Sequence, residues 1–521
     1  MIDLSRSRIP PYAHQVVGVD ALVKNPFFML ADEMGAGKTK QVIDAACHLF
    51  INGTIRKALT LAPAPVRGVW FDPDFGELKK HLWSGLPVKV TEYHAKSRRW
   101  VQSVVNGQPY LDWMVTNYDF ARVEDYLDEL VLWADKQTLL VLDESSAVKN
   151  ANAKQTKAAL RLRQKCGRVV LLNGTPITNS PGDMYAQGRI MHFDILECSN
   201  FFQFRARYAK MGGWQGKQIV GWHDVEDIQQ RFAPFVLRRL KEDCLDLPEK
   251  LPPVVLHRAL TPNTWNRYRE MRDDMVTWLS QQTVSVAPQA ITKVMRLAQI
   301  TSGFVGGVEA EIEGAEEMEA PPDYLPFEGM VTPVITSPSK PVAPFEFIGR
   351  EKLDGLLEWV EERIYERPNF KFIVWTRHRP ELHRTAEELK GKFPQLTVGL
   401  LHGGQKRHER DEVMRLLNPA TTVPGPAGAV ATLGTGSVGL TLTAADTNYY
   451  MSLNTSLLHL LQSRDRTHRP TQVNPVSYYY SVATGPKGQK TIDHQLMKAL
   501  QSHEDLAKWT TDAWVHALTE E

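Results

Sequence analysis

Short apolar runs alternate with amphipathic segments along most of the chain, and the alternation occurs in two separate regions. The first region contains strand-like runs at residues 27–31, 57–62, 138–143 and 168–173. The second contains strand-like runs at residues 371–375, 397–401, 429–433, 448–453 and 475–482. Runs that are apolar at nearly every position are typical of parallel strands buried on both faces of a sheet. The pattern therefore predicts an α/β fold with two lobes, each built on a parallel sheet.

Helical periodicity between the runs supports this prediction. After residue 39, one predicted helix face carries Val42, Ile43, Ala46, Leu49 and Phe50. In the second region an equivalent face carries Leu353, Leu356, Leu357, Val360 and Ile364. Strands that alternate with helices indicate βαβ units.

Changes in residue composition and in hydrophobic periodicity divide the chain into four predicted parts. Residues 1–182 form the first lobe, and residues 348–521 form the second. Residues 183–304 carry helical patterns rich in aromatic and basic side chains, which predict helical insertions and a link between the lobes. Residues 305–347 are acidic and then rich in proline, and such a composition buries too little apolar surface to form a domain. We expect a mobile loop there.

Composition narrows the class of protein. Hydrophobic residues make up 43% of the 521 positions and charged residues 23%, which is ordinary for a globular protein. The net charge is +1, and no apolar run approaches the roughly 18 residues that a membrane span needs. The N-terminal stretch lacks the apolar core of a signal peptide. Four widely spaced cysteines predict buried free thiols in a reducing compartment: Cys47, Cys166, Cys198 and Cys244.

The stretch "MLADEMGAGKTKQVIDAA" has the most specific chemistry. A strand ends at Ala31, glycines follow at Gly35 and Gly37, and a helix begins near Lys38. Backbone N–H groups of such a loop approach phosphate oxygens, while the lysine reaches the β and γ phosphates and the Thr39 hydroxyl can bind Mg²⁺. The alternative is a glycine-rich β–α turn with an exposed lysine.

Two adjacent carboxylates, Asp143 and Glu144, end the apolar run "TLLVLD". The carboxyl end of a buried strand is where open α/β sheets bind ligands. Asp143 would hold Mg²⁺, and Glu144 would polarise the attacking water as general base. Helix N-terminal charges remain the simpler interpretation of this segment alone.

A second charged stretch, "LLQSRDRTHRPTQV" at 460–473, places Arg466 and Arg469 three residues apart. On a helix the two guanidiniums would share a face and repel each other unless an anion lay between them. Either a bound anion or a nearby carboxylate would meet this need.

Taken in order, these motifs resemble those of the SNF2 family of superfamily 2 helicase-like ATPases, from about residue 9 to about residue 500. The matching segments are "PYAHQ" (Q motif), "ADEMGAGKT", "LTLAPAPVRGVW" (motif Ia), "VTNYD" (motif Ib), "VLDESSAVKN" (motif II), "LLNGTPITNS" (motif III), "FVLRRLKEDCLDLPEK", "VWTRHRPELHRTAEEL" (motif IV), "LHGGQKRHERDEVMRLLN", "TLGTGSVGLTLTAAD" (motif V) and "QSRDRTHRPTQ" (motif VI). The resemblance implies two RecA-like lobes with ATP in the cleft between them.

It also implies roles for individual residues. ATP would be bound by Gln15, which reads adenine, and by Gly35, Ala36, Gly37, Lys38 and Thr39. Thr39 and Asp143 would hold Mg²⁺, Lys38 and Glu144 would act in hydrolysis, and Arg466 and Arg469 would be arginine fingers. Coupling between ATP and DNA would involve Gly174, Thr175 and Gln462, and DNA phosphates would meet Pro63, Thr116, Gly403 and Gly439. The basic run at 154–168 would extend the DNA track or form a solvated helix face.

Several positions depart from the family's usual motifs. Ser146 stands where motif II usually has histidine, and Thr441 where motif V usually has asparagine. Gly434 with Thr435, and Pro470 with Thr471, replace the pairs "RA" and "IG". These differences concern the coupling and DNA contacts more than the ATP site.

We therefore expect a DNA-stimulated ATPase that moves along double-stranded DNA with little sequence preference. Two alternatives stay open: a strand-separating or branch-migrating helicase, and an ATP-clamped DNA-binding scaffold. The compact sequence resembles bacterial or bacteriophage members, so we expect a monomer in the cytoplasm, or in the nucleus of a eukaryote.

Overall fold

The computed structural model describes residues 3–71, 76–93, 109–174, 181–212, 218–281, 287–306, 345–405, 407–422, 424–437, 441–454 and 456–502. Across these residues the two largest sheets are parallel and belong to separate lobes. The prediction of two parallel-sheet α/β lobes is therefore confirmed. Among the described helices, none combines the length and the apolar character that crossing a bilayer requires.

The first sheet has the strand order β3-β4-β2-β5-β6-β1-β9. Its strands are β1 (Phe27–Leu30), β2 (Lys57–Ala62), β3 (Val88–Glu92), β4 (Leu111–Asn117), β5 (Thr138–Leu142), β6 (Arg168–Leu172) and β9 (Val236–Leu237). The helices of this lobe are α1 (Ala13–Lys24), α2 (Lys38–Ile51), α3 (Ala64–Phe71), α4 (Glu77–His81), α5 (Tyr118–Ala121), α6 (Glu124–Trp133), α7 (Lys154–Lys165) and α8 (Asp183–Met191). Successive residues of β1 enter two different cores, Met29 on one face and Phe28 with Leu30 on the other. This double burial explains the continuous apolar runs.

The second sheet has the strand order β10-β17-β16-β13-β15-β14. Its strands are β10 (Val254–Ala259), β13 (Lys371–Thr376), β14 (Thr397–Leu401), β15 (Ala427–Thr432), β16 (Thr447–Tyr450) and β17 (Ser477–Thr484). The helices around it are α14 (Glu351–Glu366), α15 (Arg379–Lys392), α16 (Arg407–Leu416) and α17 (Leu457–Arg464). Here too one strand feeds two cores, because Ile373 and Trp375 pack on one face and Phe372 and Val374 on the other.

The segment between the lobes contains strands as well as helices, unlike the helical insertions predicted over residues 183–304. Its further elements are α9 (Phe201–Tyr208), β7 (Ala209–Gly212), β8 (Gln218–Trp222), α10 (Val225–Phe232), α11 (Lys241–Cys244), α12 (Pro262–Gln281), α13 (Ala287–Thr301) and β11 (Phe304–Gly306). Strand β9 joins the first sheet beside β1, and β10 joins the second beside β17. The link is therefore built into both sheets.

The acidic and proline-rich segment predicted over 305–347 falls mostly outside the described residues. Its two ends lie together, because β11 pairs antiparallel with β12 (Phe345–Phe347).

Candidate active site

The predicted phosphate-binding loop connects β1 to α2. Gly35 and Gly37 have φ angles of 83° and 77°, in the left-handed region that favours glycine. The Lys38 ammonium lies over the loop and donates to the carbonyl oxygens of Asp32 (2.8 Å) and Glu33 (3.3 Å). The loop thus offers glycine backbone, a helix N-terminus and an ammonium group in one place, which suits a polyphosphate.

Helix α1 packs its first turn against this loop. The Gln15 amide lies at 3.5 Å from the carbonyl oxygen of Ala36, and a His14 ring nitrogen is 2.9 Å from the same oxygen. A side chain at Gly37 would place its first carbon 2.2 Å from Gln15 Nε2, and the φ of 77° at this position favours glycine. Gln15 therefore borders the phosphate-binding loop.

Asp32 occupies the position where the general phosphate-loop pattern has glycine, and it is completely buried. Arg239, from the segment after β9, donates to both of its carboxylate oxygens, at 2.9 and 2.5 Å. The neighbouring Arg238 donates to the carbonyl oxygens of Ala31 (2.7 Å) and Gly174 (2.9 Å). The sequence pattern does not indicate a role for these two arginines, although both belong to the family-like segment "FVLRRLKEDCLDLPEK". They fix the base of the loop.

Asp143 follows β5 and is buried. The Trp70 indole N–H donates to Asp143 Oδ2 at 2.6 Å, and the Tyr118 hydroxyl donates to the Asp143 carbonyl oxygen at 2.8 Å. Burial raises the pKa of Asp143, while the Trp70 hydrogen bond and the Lys38 ammonium oppose that rise.

Glu144 is the second carboxylate, and its backbone has φ 48°, a conformation uncommon for residues other than glycine. Burial and the neighbouring Asp143 raise the pKa of Glu144 to about 7, and the cations Lys38 and Arg466 act in the opposite direction. A carboxylate whose pKa lies near neutrality is suited to accept a proton from water. Its Oε2 is buried and has no hydrogen-bond partner among the described residues.

This donor set fits Mg²⁺ bound together with a nucleotide. Oxygen ligands such as the Thr39 hydroxyl and the Asp143 carboxylate are those that Mg²⁺ prefers. In the part of the chain that the structure describes, no group of three or more His, Cys, Asp or Glu residues could hold a metal ion alone. Mg²⁺ is usually bound by one or two carboxylates together with substrate phosphates, so Thr39 and Asp143 would hold the ion jointly with a nucleotide.

The segment after the carboxylates is joined to motif III by a buried polar cluster. The Ser145 hydroxyl donates to Gln187 Oε1 at 2.6 Å, and Asn173 Nδ2 donates to the same Gln187 oxygen at 3.1 Å. Asn173 Nδ2 also lies 3.3 Å from Ser145 Oγ. Ser146, at the usual histidine position, is not part of this cluster.

Of the predicted coupling residues, Gly174 directly adjoins the phosphate loop. A side chain there would place its first carbon 2.5 Å from Met34 Cγ, so the close approach requires glycine. Gln462 is buried in α17, and its Oε1 has no hydrogen-bond partner within the described ranges. Thr175 lies outside the described residues.

The two motif VI arginines lie across the cleft from the loop. A side-chain carbon built on Gly35 would be 3.8 Å from Arg469 Cγ. Arg469 Nη1 donates to Thr441 Oγ1 at 3.1 Å, and Arg469 Nε donates to the Asp465 carbonyl oxygen at 3.0 Å. Burial and the nearby Arg469 lower the pKa of Arg466 to about 9. Residues more than 400 positions apart in the chain thus meet at one site.

Two departures from the family motifs lie in this region. Thr441 receives the hydrogen bond from Arg469, and Thr471 shares a 2.5 Å hydrogen bond with Thr443. Both threonines therefore support motif VI.

The predicted DNA-contact residues differ in accessibility. Pro63 is half-buried just before α3, and Gly403 lies in an exposed turn after β14. Thr116 is completely buried and its hydroxyl donates to the Tyr93 carbonyl oxygen at 2.8 Å, so the structure does not offer this side chain to a DNA phosphate. Gly439 lies outside the described residues.

The arginines of the basic run at 154–168 have partners within the protein. Arg161 bridges Glu124 and Asp128 on α6. Arg163 and Arg168 donate to backbone carbonyl oxygens. These contacts favour a structural helix face over a continuous DNA track.

Comparison with known proteins gives two family models that match the chain. The SNF2-related domain matches residues 15–302, and the helicase conserved C-terminal domain matches residues 351–471.

Individual relatives are similar over almost the whole chain. The SWI/SNF-related matrix-associated actin-dependent regulator of chromatin subfamily A-like protein 1 homolog of Caenorhabditis elegans is 25% identical over 96% of this chain and 61% of its own length. The TATA-binding protein-associated factor MOT1 of Saccharomyces cerevisiae is 25% identical over 90% of this chain and 26% of its own. The human DNA annealing helicase and endonuclease ZRANB3 is 23% identical over 93% of this chain and 39% of its own. The chain spans less than two thirds of these relatives.

Two solved structures of the Sulfolobus solfataricus SWI2/SNF2 ATPase core are also similar. The core in complex with dsDNA is 19% identical, with a TM-score of 0.41 over 99% of this chain and 97% of that chain. The core domain alone is 19% identical, with a TM-score of 0.40 over 98% and 94%.

Proposed function

Because the chain belongs to the SNF2-related family of helicase-like ATPases, we propose that it hydrolyses ATP when DNA is bound and moves along double-stranded DNA. The movement would remodel DNA or displace bound protein. The observation that carries the proposal is the packing of Arg469 of one lobe against the phosphate loop of the other, where a side-chain carbon built on Gly35 would be 3.8 Å from Arg469 Cγ.

In hydrolysis, the loop around Gly35 and Gly37 would hold the phosphates through backbone N–H groups, with Lys38 on the β and γ phosphates. Thr39 and Asp143 would hold Mg²⁺, which supplies charge neutralisation for the phosphates. Glu144 would accept the proton of the attacking water at its free, buried Oε2.

The arginines would supply the remaining charge stabilisation. Guanidinium groups suit the equatorial oxygens of the transferred phosphoryl group because they offer a rigid, permanently charged fork. In related NTPases such a finger accelerates turnover by about 10³- to 10⁵-fold. Since Arg466 and Arg469 belong to the second lobe, closure of the cleft would be a condition of turnover.

Movement along DNA would follow from this requirement. ATP binds both lobes only when they are closed, so it shifts the population toward the closed state and its hydrolysis releases that state. If each lobe grips the phosphodiester backbone, for example at Pro63 and Gly403, each cycle becomes a step. Contacts to phosphates carry little sequence information, so we propose DNA without a preferred sequence as the partner.

The test is a nucleic-acid panel. ATP turnover is measured with purified protein alone and with duplex DNA, single-stranded DNA and RNA of equal length. We expect duplex DNA to stimulate ATP turnover most, and we expect no stimulated turnover in Glu144→Gln. Stimulation by RNA alone would overturn the proposal. ATP turnover that is equal with and without nucleic acid would exclude a DNA motor. A scaffold that only binds ATP would be unaffected by Glu144→Gln.

A second candidate is remodelling of branched DNA, by strand separation, annealing or branch migration. The human relative's description as a DNA annealing helicase supports it. A fluorescently labelled forked duplex and a four-way junction separate the two candidates, because a translocase on plain duplex leaves both substrates intact.

A further inference from the structure

A lysine without an assigned role is buried between the two lobes. Lys241 is the first residue of α11 and is only 1% exposed. Its ammonium forms an ion pair with the Asp465 carboxylate and donates to the carbonyl oxygen of His468 at 3.0 Å. Both acceptors belong to the motif VI segment of the second lobe.

The same residue is anchored to the first lobe. Its backbone N–H donates to Glu33 Oε2 at 2.8 Å, within the segment that leads into the phosphate loop. A side-chain carbon built on Gly35 would lie 3.1 Å from Lys241 Cε and 3.3 Å from its Nζ. Lys241 therefore touches the phosphate loop and the arginine-finger segment at once.

The partner of Lys241 occupies a critical position. Asp465 directly precedes Arg466, and its carbonyl oxygen accepts the Nε–H of Arg469 at 3.0 Å. A buried carboxylate beside two guanidiniums would attract them away from a phosphate unless another cation satisfied it. Lys241 supplies that cation. Burial lowers the pKa of Lys241, and Asp465 is the main group that opposes this effect.

We propose that Lys241 is a positioning residue which satisfies the Asp465 carboxylate and holds Arg466 and Arg469 over the phosphate loop when the lobes close. This rests on the proposed ATPase function and adds to it a residue from the link between the lobes. Lys241 acts through the arginines. Its loss should therefore reduce the rate of hydrolysis, while the binding of ATP by the first lobe should be unchanged.

A nearby lysine provides the matched control. Lys250 belongs to the same segment and pairs with Glu33 at 3.3 Å, but its side chain is 42% exposed. It has the same charge and shares one partner with Lys241, yet no described contact joins it to Asp465. Lys250→Met therefore removes an equal charge without removing the contact on which the proposal depends.

The experiment measures kcat and KM for ATP, binding of a fluorescent ATP analogue, trapping of ADP with aluminium fluoride, and thermal melting. For Lys241→Met we expect a loss in kcat of about 10- to 100-fold, as for a misplaced catalytic group, and weak trapping of the aluminium fluoride complex. Affinity for the ATP analogue should stay within about threefold of the wild-type value, because the substitution leaves the residues proposed to bind ATP in place. Lys241→Arg should recover most of the rate, and Lys250→Met should match the wild type.

A variant that removes both charges tests whether the unpaired Asp465 carboxylate causes the loss. Lys241→Met with Asp465→Asn leaves no buried carboxylate to attract the guanidiniums away from the phosphate, so we expect its kcat and its melting temperature to return toward those of the wild type. A double variant as slow as Lys241→Met would overturn the proposal, as would an Arg variant no better than Met. Absence of ATP turnover in the wild type would instead overturn the proposed function.

Discussion

Trp70 donates its indole N–H to Asp143 Oδ2 at 2.6 Å, and both side chains are buried. The hydrogen bond connects α3, which contains the segment "APVRGVW" of motif Ia, to the carboxylate proposed to hold Mg²⁺. Because the bond favours the ionised carboxylate, it opposes the effect of burial on the pKa of Asp143. Through this hydrogen bond, a helix next to the proposed DNA contact at Pro63 influences whether the Asp143 carboxylate is ionised.

Trp70→Phe should therefore move the acidic limb of the pH–rate profile to higher pH. Without the indole donor the pKa of Asp143 rises further, so less carboxylate is ionised as the pH falls. A hydrogen bond to a charged group is worth enough to shift the limb by about one pH unit. The measurement is kcat/KM for ATP at saturating Mg²⁺. A range from about pH 5.5 to about pH 9 covers the roughly neutral pKa values of catalytic groups.

Trp113→Phe is the control for that variant. Trp113 packs beside Trp70, with ring centroids 6.2 Å apart, and its indole donates to Thr60 Oγ1 instead of a catalytic carboxylate. Its loss should leave the acidic limb in place. An unchanged profile in Trp70→Phe, or equal shifts in both variants, would contradict the role of Trp70.

Glu144 gives a second pH prediction. Its pKa of about 7 belongs to the free enzyme, in which burial and Asp143 disfavour its charge. A base with a raised pKa acts only when deprotonated, so kcat/KM should fall as the pH drops through about 7. Glu144→Gln should lower kcat by about 10²- to 10⁴-fold while ATP still binds. Asp143 still titrates in Glu144→Gln, so a limb should remain, but a limb whose midpoint stays at about 7 would assign that titration to a group other than Glu144.

The cluster of Ser145, Asn173 and Gln187 predicts where coupling to DNA is carried. Gln187→Leu removes the acceptor that both other residues share. We expect the stimulation of ATP turnover by duplex DNA to fall roughly 2- to 30-fold, the range for residues that couple two sites. ATP turnover without DNA should change less, because the carboxylates and the phosphate loop stay in place.

Ser146→Ala tests the same idea from the opposite direction. Ser146 stands where the family usually has its coupling histidine, yet the described contacts of this region pass through Ser145. We expect normal stimulation by DNA in Ser146→Ala. A loss as large as that in Gln187→Leu would return the coupling role to position 146.

The sequence predicted the parts of the molecule that local pattern encodes. Strands buried on both faces are apolar at nearly every position, so four strands of the first sheet and five of the second are predicted by continuous runs such as "TLLVLD". The runs do not predict β3, β4, β9 or β10. Polar residues interrupt β3 and β4. Strand β9 has two residues followed by arginines, and β10 has exposed residues such as Val254 and Val255, so neither forms a buried run.

The charged framework of the site could not be predicted in this way. Arg239 and Asp32 are separated by 207 positions, and Lys241 and Asp465 by 224. No periodicity in the sequence relates such pairs, because they depend on the path that the inter-lobe segment follows in the folded protein. The family resemblance implied that motif VI would reach the phosphate loop, but it did not indicate that the Thr116 side chain is buried and donates to the Tyr93 carbonyl oxygen.

The Arg239–Asp32 pair predicts a large effect on stability. Asp32 is completely buried, and Arg239 donates to both of its oxygens. Arg239→Met would leave a buried carboxylate without its main partner, which typically costs about 3–5 kcal/mol in the free energy of unfolding. Urea denaturation of the purified variant measures this loss. Removing both charges with Arg239→Met and Asp32→Asn should recover a large part of it.

Arg161→Met is the matched control, because Arg161 also joins two carboxylate contacts, to Glu124 and Asp128, but does so at the surface. Water solvates those carboxylates when the arginine is lost, so the free energy of unfolding should hardly change. Equal destabilisation by Arg239→Met and Arg161→Met would mean that burial of Asp32 does not set the cost. A stable Arg239→Met protein would mean that the existing hydrogen bond from Gln41 Nε2, at 3.1 Å, satisfies the Asp32 carboxylate without the arginine.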